Sequence, residues 1–206
     1  MSELTDVPIG NHYDKYASKN PLARRMMDGF MRALDSALPA DAPVTVFELG
    51  MGEGEIADRI RNRYGSVEFT GLDLPDAGLA RDWRERKLVG VFGDAGSLPI
   101  RDHSVDLVLA IEVLEHLPDP ARALRELARV ARRDVVVSVP NEPTWRALNL
   151  ARGSYIGDWG NTPGHIQHWS AKRFSALVGE HFDVVTVRKP LPWTVITARA
   201  RVPVKV

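Results

Sequence analysis

The sequence predicts an α/β domain: a seven-stranded, mostly parallel sheet with helices on both faces and a last antiparallel pair of strands. Three observations carry this expectation. Runs rich in Val, Leu and Ile alternate with helical patterns along most of the 206 residues. Those runs lack the polar alternation of a half-exposed sheet, so they suit strands covered on both faces. The final two strand-like runs are joined by only Leu191 and Pro192, too short a link for a crossover helix, and should pair antiparallel.

Taken in order, residues 21–38 place apolar residues at helical spacing, with Pro21 suited to a first turn. VTVFELG (44–50) reads as a strand, and the helical pattern that follows ends at Gly65. VEFTGLDL (67–74) is a strand and AGLARDWRERK (77–87) a helix. LVGVFGDA (88–95) and VDLVLAIEV (105–113) are strands, and a helix starts behind Asp119 and Pro120. DVVVSVPN (134–141) is the fifth strand. Residues 140–169 show no clear periodicity, and irregular stretches of that length are often lids or binding loops. A helix beginning behind Ser170 then leads into FDVVTVRKP and WTVITARAR.

Composition excludes several classes. Lys plus Arg equals Asp plus Glu at 27 each, so no global field favours nucleic acid or an anionic membrane. No cysteine is present, which removes disulfides, thiolate zinc sites and a Cys nucleophile. The apolar runs are too short to span a bilayer, and the first residues lack a signal-peptide pattern, so a cytoplasmic location is expected.

The stretch with most chemical content is the glycine turn behind the first strand. A dinucleotide fingerprint wants G-x-G-x-x-G; Gly50 and Gly52 fit, but the third position is Glu55. No Gly-Lys-Ser/Thr triplet offers a P-loop either. Glu53 and Glu55 would repel a bound diphosphate, so a ligand with positive charge and no phosphate suits the turn better.

Glu48-Leu49-Gly50-Met51-Gly52-Glu53-Gly54 resembles the E/D-x-G-x-G-x-G signature of class I S-adenosylmethionine-dependent methyltransferases, whose ligand carries a sulfonium and an ammonium. Further motifs follow in the family's order over roughly residues 40–200. Asp73 closes the second strand, GDAGSLPI follows the third, and DLVLAIEVLEHLPDP resembles the fourth-strand segment of the UbiE/UbiG-like small-molecule branch. The resemblance implies a Rossmann-like sheet and the cofactor S-adenosyl-L-methionine, with S-adenosyl-L-homocysteine as product. It places Glu48, Gly50, Met51, Gly52 and Gly54 at the cofactor, Asp73 on the ribose hydroxyls with Leu74 beside it, Asp94 and Ala95 at the adenine, and Ile111 and Glu112 at the methionine moiety. In related enzymes an amino-terminal segment folds over the cofactor, which gives Tyr16 a place there. Asp73 as a capping residue and Asp94 as a turn acid ahead of Gly96 remain open alternatives.

A hydroxyl acceptor calls for a general base, and His165 and His168 are candidates; a helical turn would put them on one face. Trp145, Tyr155, Trp159, Trp169 and His116 could line the acceptor's pocket, or pack as core. No carboxylate stands at a telling spacing from the histidine pair, so no metal site is expected. His103 and His181 read as surface residues. The place of the Asn/Asp-Pro-Pro-aromatic tetrad of amino-directed enzymes is taken by IEVL, and no Asp-Asp-Asn metal arrangement is evident. The expected function is O-methylation of a natural product, sugar or lipid-like compound, with N- or C-methylation or a non-catalytic cofactor-binding partner as alternatives. The expected protein is a monomer or homodimer with no nucleic-acid or membrane partner. The expected organisation is a single domain over 1–206. It has a helical lid segment at 1–39, a cofactor-binding core at 40–140, a substrate-side cap loop at 141–169, and a terminal helix and strands at 170–206.

Overall fold

The computed structural model describes residues 20–151, 161–162 and 164–201. Seven strands form one sheet in the order β3-β2-β1-β4-β5-β7-β6. They are β1 (Thr45–Leu49), β2 (Glu68–Asp73), β3 (Val89–Phe92), β4 (Val105–Ile111), β5 (Ala131–Pro140), β6 (Phe182–Arg188) and β7 (Trp193–Ala200). The first five run parallel, and β7 inserts antiparallel between β5 and β6. The helices are α1 (Pro21–Ala37), α2 (Glu55–Tyr64), α3 (Ala77–Glu85), α4 (Pro120–Val130), α5 (Glu142–Ala151) and α6 (Ala171–His181).

The unbroken apolar runs are explained by two cores, one on each face of the sheet. Alternate residues of β4 go to opposite sides: Val108 and Ala110 join Leu124, Leu127, Phe174 and Val178 from α4 and α6. Leu107, Leu109 and Ile111 join Phe30, Leu34, Ile56, Ile60 and Trp83 from α1, α2 and α3. Every residue of β4 is buried, Asp106 included. Asp106 accepts hydrogen bonds from the Val44 and Thr45 N–H groups and from Arg132, which offsets the cost of burying a carboxylate.

Helix boundaries follow the capping residues. Asn20 caps α1 ahead of Pro21, Asp76 caps α3, Asp119 caps α4 ahead of Pro120, and Ser170 caps α6. Gly65 ends α2 with a positive φ of 75°, and its N–H donates to the Arg61 carbonyl. The segment 141–169 departs from expectation, because it opens with the helix α5 rather than as an irregular cap loop. Its inward face includes the polar Glu142 and Asn149, both buried, so the apolar spacing that marks a helix is missing from the sequence. Among the described residues no helix is long and apolar enough to cross a membrane.

Strand β1 leads to β2 on one side while β4 lies on its other side, so the strand order reverses between β1 and β4 although the two run parallel. A crevice outside the carboxyl ends of the strands is expected at such a point. The glycine turn lies there.

Candidate active site

The turn begins where β1 ends. Gly50, Gly52 and Gly54 all have positive φ, at 73°, 52° and 90°, which side chains rarely adopt. Two of them are also required by packing. A Cβ on Gly50 would fall 2.6 Å from Val113, and one on Gly54 would fall 2.2 Å from Leu88. Gly52 differs, since a Cβ there would meet nothing within 4 Å; the backbone at this point faces open space. Its N–H donates to Asp73 Oδ2 at 2.7 Å, and the Leu74 N–H donates to Asp73 Oδ1 at 2.8 Å. A carboxylate has about four lone-pair sites, so Asp73 keeps acceptor capacity for two hydroxyls. Asp76, not Asp73, caps the following helix.

The acids of the turn have separate fates. Glu48 is buried, and burial first, then the Asp73 charge, push its carboxyl well above the usual range. Glu48 Oε2 has no hydrogen-bond partner among the described residues. Glu55 is paired with Arg86 at 2.7 Å, so its charge is balanced within the protein and not by a ligand. Glu53 is exposed. The Met51 side chain is buried and packs where a Cβ on Gly71 would sit, which leaves only its backbone for a ligand. Trp83, which no local pattern marks as a site residue, supports the turn by donating its indole N–H to the Gly52 carbonyl at 2.7 Å. It stacks on Phe92, and Gly90 leaves room for its ring.

Leu74 lies exposed just beyond β2. Asp94 accepts from the Gly96 N–H, as a turn acid does, and its exposed carboxylate stands 3.6 Å from Arg122. Ala95 is partly buried against the core, and Ile111 ends β4 buried. Glu112 has a positive φ of 57° and is held there by Ser138 Oγ and the Trp193 indole N–H. Backbone strain of this kind is concentrated at functional sites. Tyr16, Tyr155 and Trp159 lie outside the described residues.

The second half of the site lies at the carboxyl ends of β4 and β5. Residues 165–170 are not helical, so the expected shared helical face of His165 and His168 is corrected. They meet instead at Glu142: His165 Nδ1 lies 3.1 Å and His168 Nδ1 3.4 Å from its Oε1. The carboxylate partner that spacing could not reveal comes from the start of α5, across 23 residues of chain. His165 is 5% exposed, whereas 35% of the His168 side chain is accessible. His168 lines a pocket of about 420 Å³ with Glu142, Arg146, Trp169, Ser170 and Arg173.

His116 ends a 3₁₀ turn, Leu114–His116, and its Nδ1 lies 2.8 Å from the Gly164 carbonyl. Trp145 is engaged elsewhere than in this pocket; its indole donates to Thr162 and its ring packs on Trp193. Trp169 does line the pocket, resting on Phe174. His103 and His181, expected at the surface, are both partly buried, and burial lowers the His181 pKa.

Open backbone at Gly52, spare acceptor capacity on Asp73 and a turn without basic side chains fit a cationic nucleoside better than a diphosphate. Fold and site together define an α/β domain with a candidate nucleoside crevice where the strand order reverses. Residues 47–139 match the family model described as a methyltransferase domain. Malonyl-[acyl-carrier protein] O-methyltransferase of Geobacter sulfurreducens is 33% identical over 59% of this chain and 45% of its own length. Norajmaline N-methyltransferase of Rauvolfia serpentina is 33% identical over 53% of this chain and 40% of its own. The chain thus spans less than half the length of these curated relatives. Magnesium protoporphyrin IX methyltransferase from Synechocystis, solved with bound S-adenosylhomocysteine, superposes with a TM-score of 0.65 at 16% identity, covering 89% of each chain. Residues 47–139 are thus similar to a methyltransferase domain, and the fold is that of a solved methyltransferase that holds S-adenosylhomocysteine.

Proposed function

We propose that the protein transfers a methyl group to a hydroxyl of a small acceptor seated beside His168. The observation that carries this reading is the pairing of an accessible histidine with a buried carboxylate at the edge of a pocket. When bound, S-adenosylmethionine supplies a methyl carbon already activated by its sulfonium. Gly50, Gly52 and Gly54 would offer backbone to it, Asp73 would accept hydrogen bonds from its ribose hydroxyls, and Asp94, Ala95, Ile111 and Glu112 would border its ends. With Nδ1 3.4 Å from Glu142, His168 would present Nε2 as the nitrogen that accepts the acceptor's hydroxyl proton. Glu142 holds the ring and favours the imidazolium that results. His165, buried behind, helps fix Glu142. Trp169 gives the pocket an apolar wall, and Arg146 and Arg173 favour an acceptor with negative charge. The names of the relatives, one an O- and one an N-methyltransferase, accord with small acceptors.

The test combines cofactor titration with acceptor screening. Calorimetry is expected to give S-adenosylmethionine and S-adenosylhomocysteine binding, lost in Asp73→Ala, with no binding of NAD. A phenol, sugar and acyl-thioester panel with labelled cofactor then reads turnover. His168→Ala is expected to slow transfer by roughly 10²–10⁴ while leaving cofactor affinity unchanged. Unchanged turnover in that variant would remove the base, and methylation confined to amines would replace the hydroxyl.

A further inference from the structure

We infer that Glu115, His116 and His165 form a binding site for one divalent transition-metal ion of the zinc class. This inference stands apart from the proposed methyl transfer, because it concerns side chains that converge on one point and not a reaction. One carboxylate oxygen and one nitrogen from each ring all lie within 4.8 Å of one another. Glu115 is 1% exposed, so the carboxylate comes from the interior, while 40% of the His116 side chain remains open to solvent.

The ring nitrogens are already assigned to different tasks. His116 Nδ1 faces the Gly164 carbonyl at 2.8 Å. A carbonyl only accepts, so Nδ1 carries the proton and Nε2 keeps its lone pair. His165 Nδ1 faces the Glu142 carboxylate at 3.1 Å, with the same consequence. Metal-binding histidines characteristically give their second N–H to a carboxylate or backbone carbonyl, which fixes the tautomer and raises ligand basicity. Both histidines have that support in place. A second observation points the same way: Glu142, behind His165, is buried, and among the described residues its Oε2 has no hydrogen-bond partner. A cation balances such charge.

The segments are also tied together before any ion arrives. The Ile166 and Gln167 N–H groups both donate to the Glu115 carbonyl at 3.0 Å, which fixes the His165 loop against the 3₁₀ turn. His116 Nε2 stands 4.0 Å from Glu115 Oε1. Ligands on a tetrahedral zinc ion stand about 3.4 Å apart, so closure takes a shift of roughly 1 Å in the side chains. Two histidines and one glutamate give a nitrogen and oxygen set suited to zinc, cobalt or manganese. Three protein ligands leave a fourth position, on the exposed His116 side, for water.

The experiment is a Co²⁺ titration of chelator-treated full-length protein, read by visible d–d absorption, followed by displacement with Zn²⁺. About one equivalent is expected to bind. His116→Ala, a change at a half-exposed side chain, is expected to weaken binding at least about 100-fold, and Glu142→Gln about 10–100-fold. His103→Ala is the control and should bind as the unaltered protein does. Circular dichroism and S-adenosylmethionine calorimetry on the metal-free variants keep a folding failure and a failed cofactor reading separate from loss of the ion. No stoichiometric absorption, or equal affinity in His116→Ala, would overturn the site.

Discussion

Trp193, at the start of β7, donates its indole N–H to Glu112 Oε2 at 2.7 Å. This one bond links the last strand in the sequence to the end of β4 at the centre of the sheet, and it holds Glu112 in its left-handed conformation. Phe30 of α1 packs on the same indole at 4.9 Å between centroids. Trp193→Phe keeps an aromatic ring but removes the donor and part of the buried ring system. A hydrogen bond to a charged group contributes about 1.5–3 kcal/mol and the cavity adds to it, so denaturant unfolding should show a loss of at least that order. A larger effect on cofactor affinity than on stability would indicate that Glu112 acts at the ligand.

The glycines of the turn should separate packing from conformation. Gly52→Ala adds a methyl in open space, so its cost is the left-handed backbone alone, about 1–2 kcal/mol. Gly54→Ala carries the same strain and also drives a methyl into Leu88. It is expected to destabilise by a further 1–3 kcal/mol or so. Equal unfolding midpoints for the two variants would contradict this packing account.

Acid stability should depend on Glu126. The two-point hydrogen bonding of Arg129, helped by the Leu98 N–H, holds the Glu126 carboxyl down at about 2. A depressed carboxyl stabilises the fold above its unfolded value, near 4.5, and that contribution is lost as pH falls toward about 2. Thermal melts across this window should therefore drop steeply, and Glu126→Gln should start lower at neutral pH and fall less.

Glu48 should act with the opposite sign. Its folded value is raised by burial, so the folded state binds a proton that the unfolded state releases. Stability from this group is complete below pH about 4.5 and is lost as pH rises toward the folded value. Glu48→Gln, which is neutral at every pH, should flatten that decline; an unchanged slope between pH 5 and 8 would show that Glu48 is ionised when folded.

Much of the fold was legible because burial leaves local marks. Strands covered on both faces are largely apolar, and Asp119, Ser170 and Gly65 mark helix ends through bonds to near neighbours. The glycine turn was legible for the same reason, since positive φ selects its residue type locally. Helix α5 was not, because Glu142 and Asn149 occupy its buried side, and no periodicity scheme expects polar residues there.

The sequence by itself determined the strand pattern, the capped helices and the turn at the end of β1, each through interactions spanning a few residues. Only the tertiary structure decided that Glu142 receives both His165 and His168, that Glu115 and His116 stand beside His165, and that Arg86 neutralises Glu55. Those groups lie tens of residues apart in the chain. The glutamate and histidine groups meet because the sheet places the ends of β4 and β5 side by side, a proximity that no local spacing encodes.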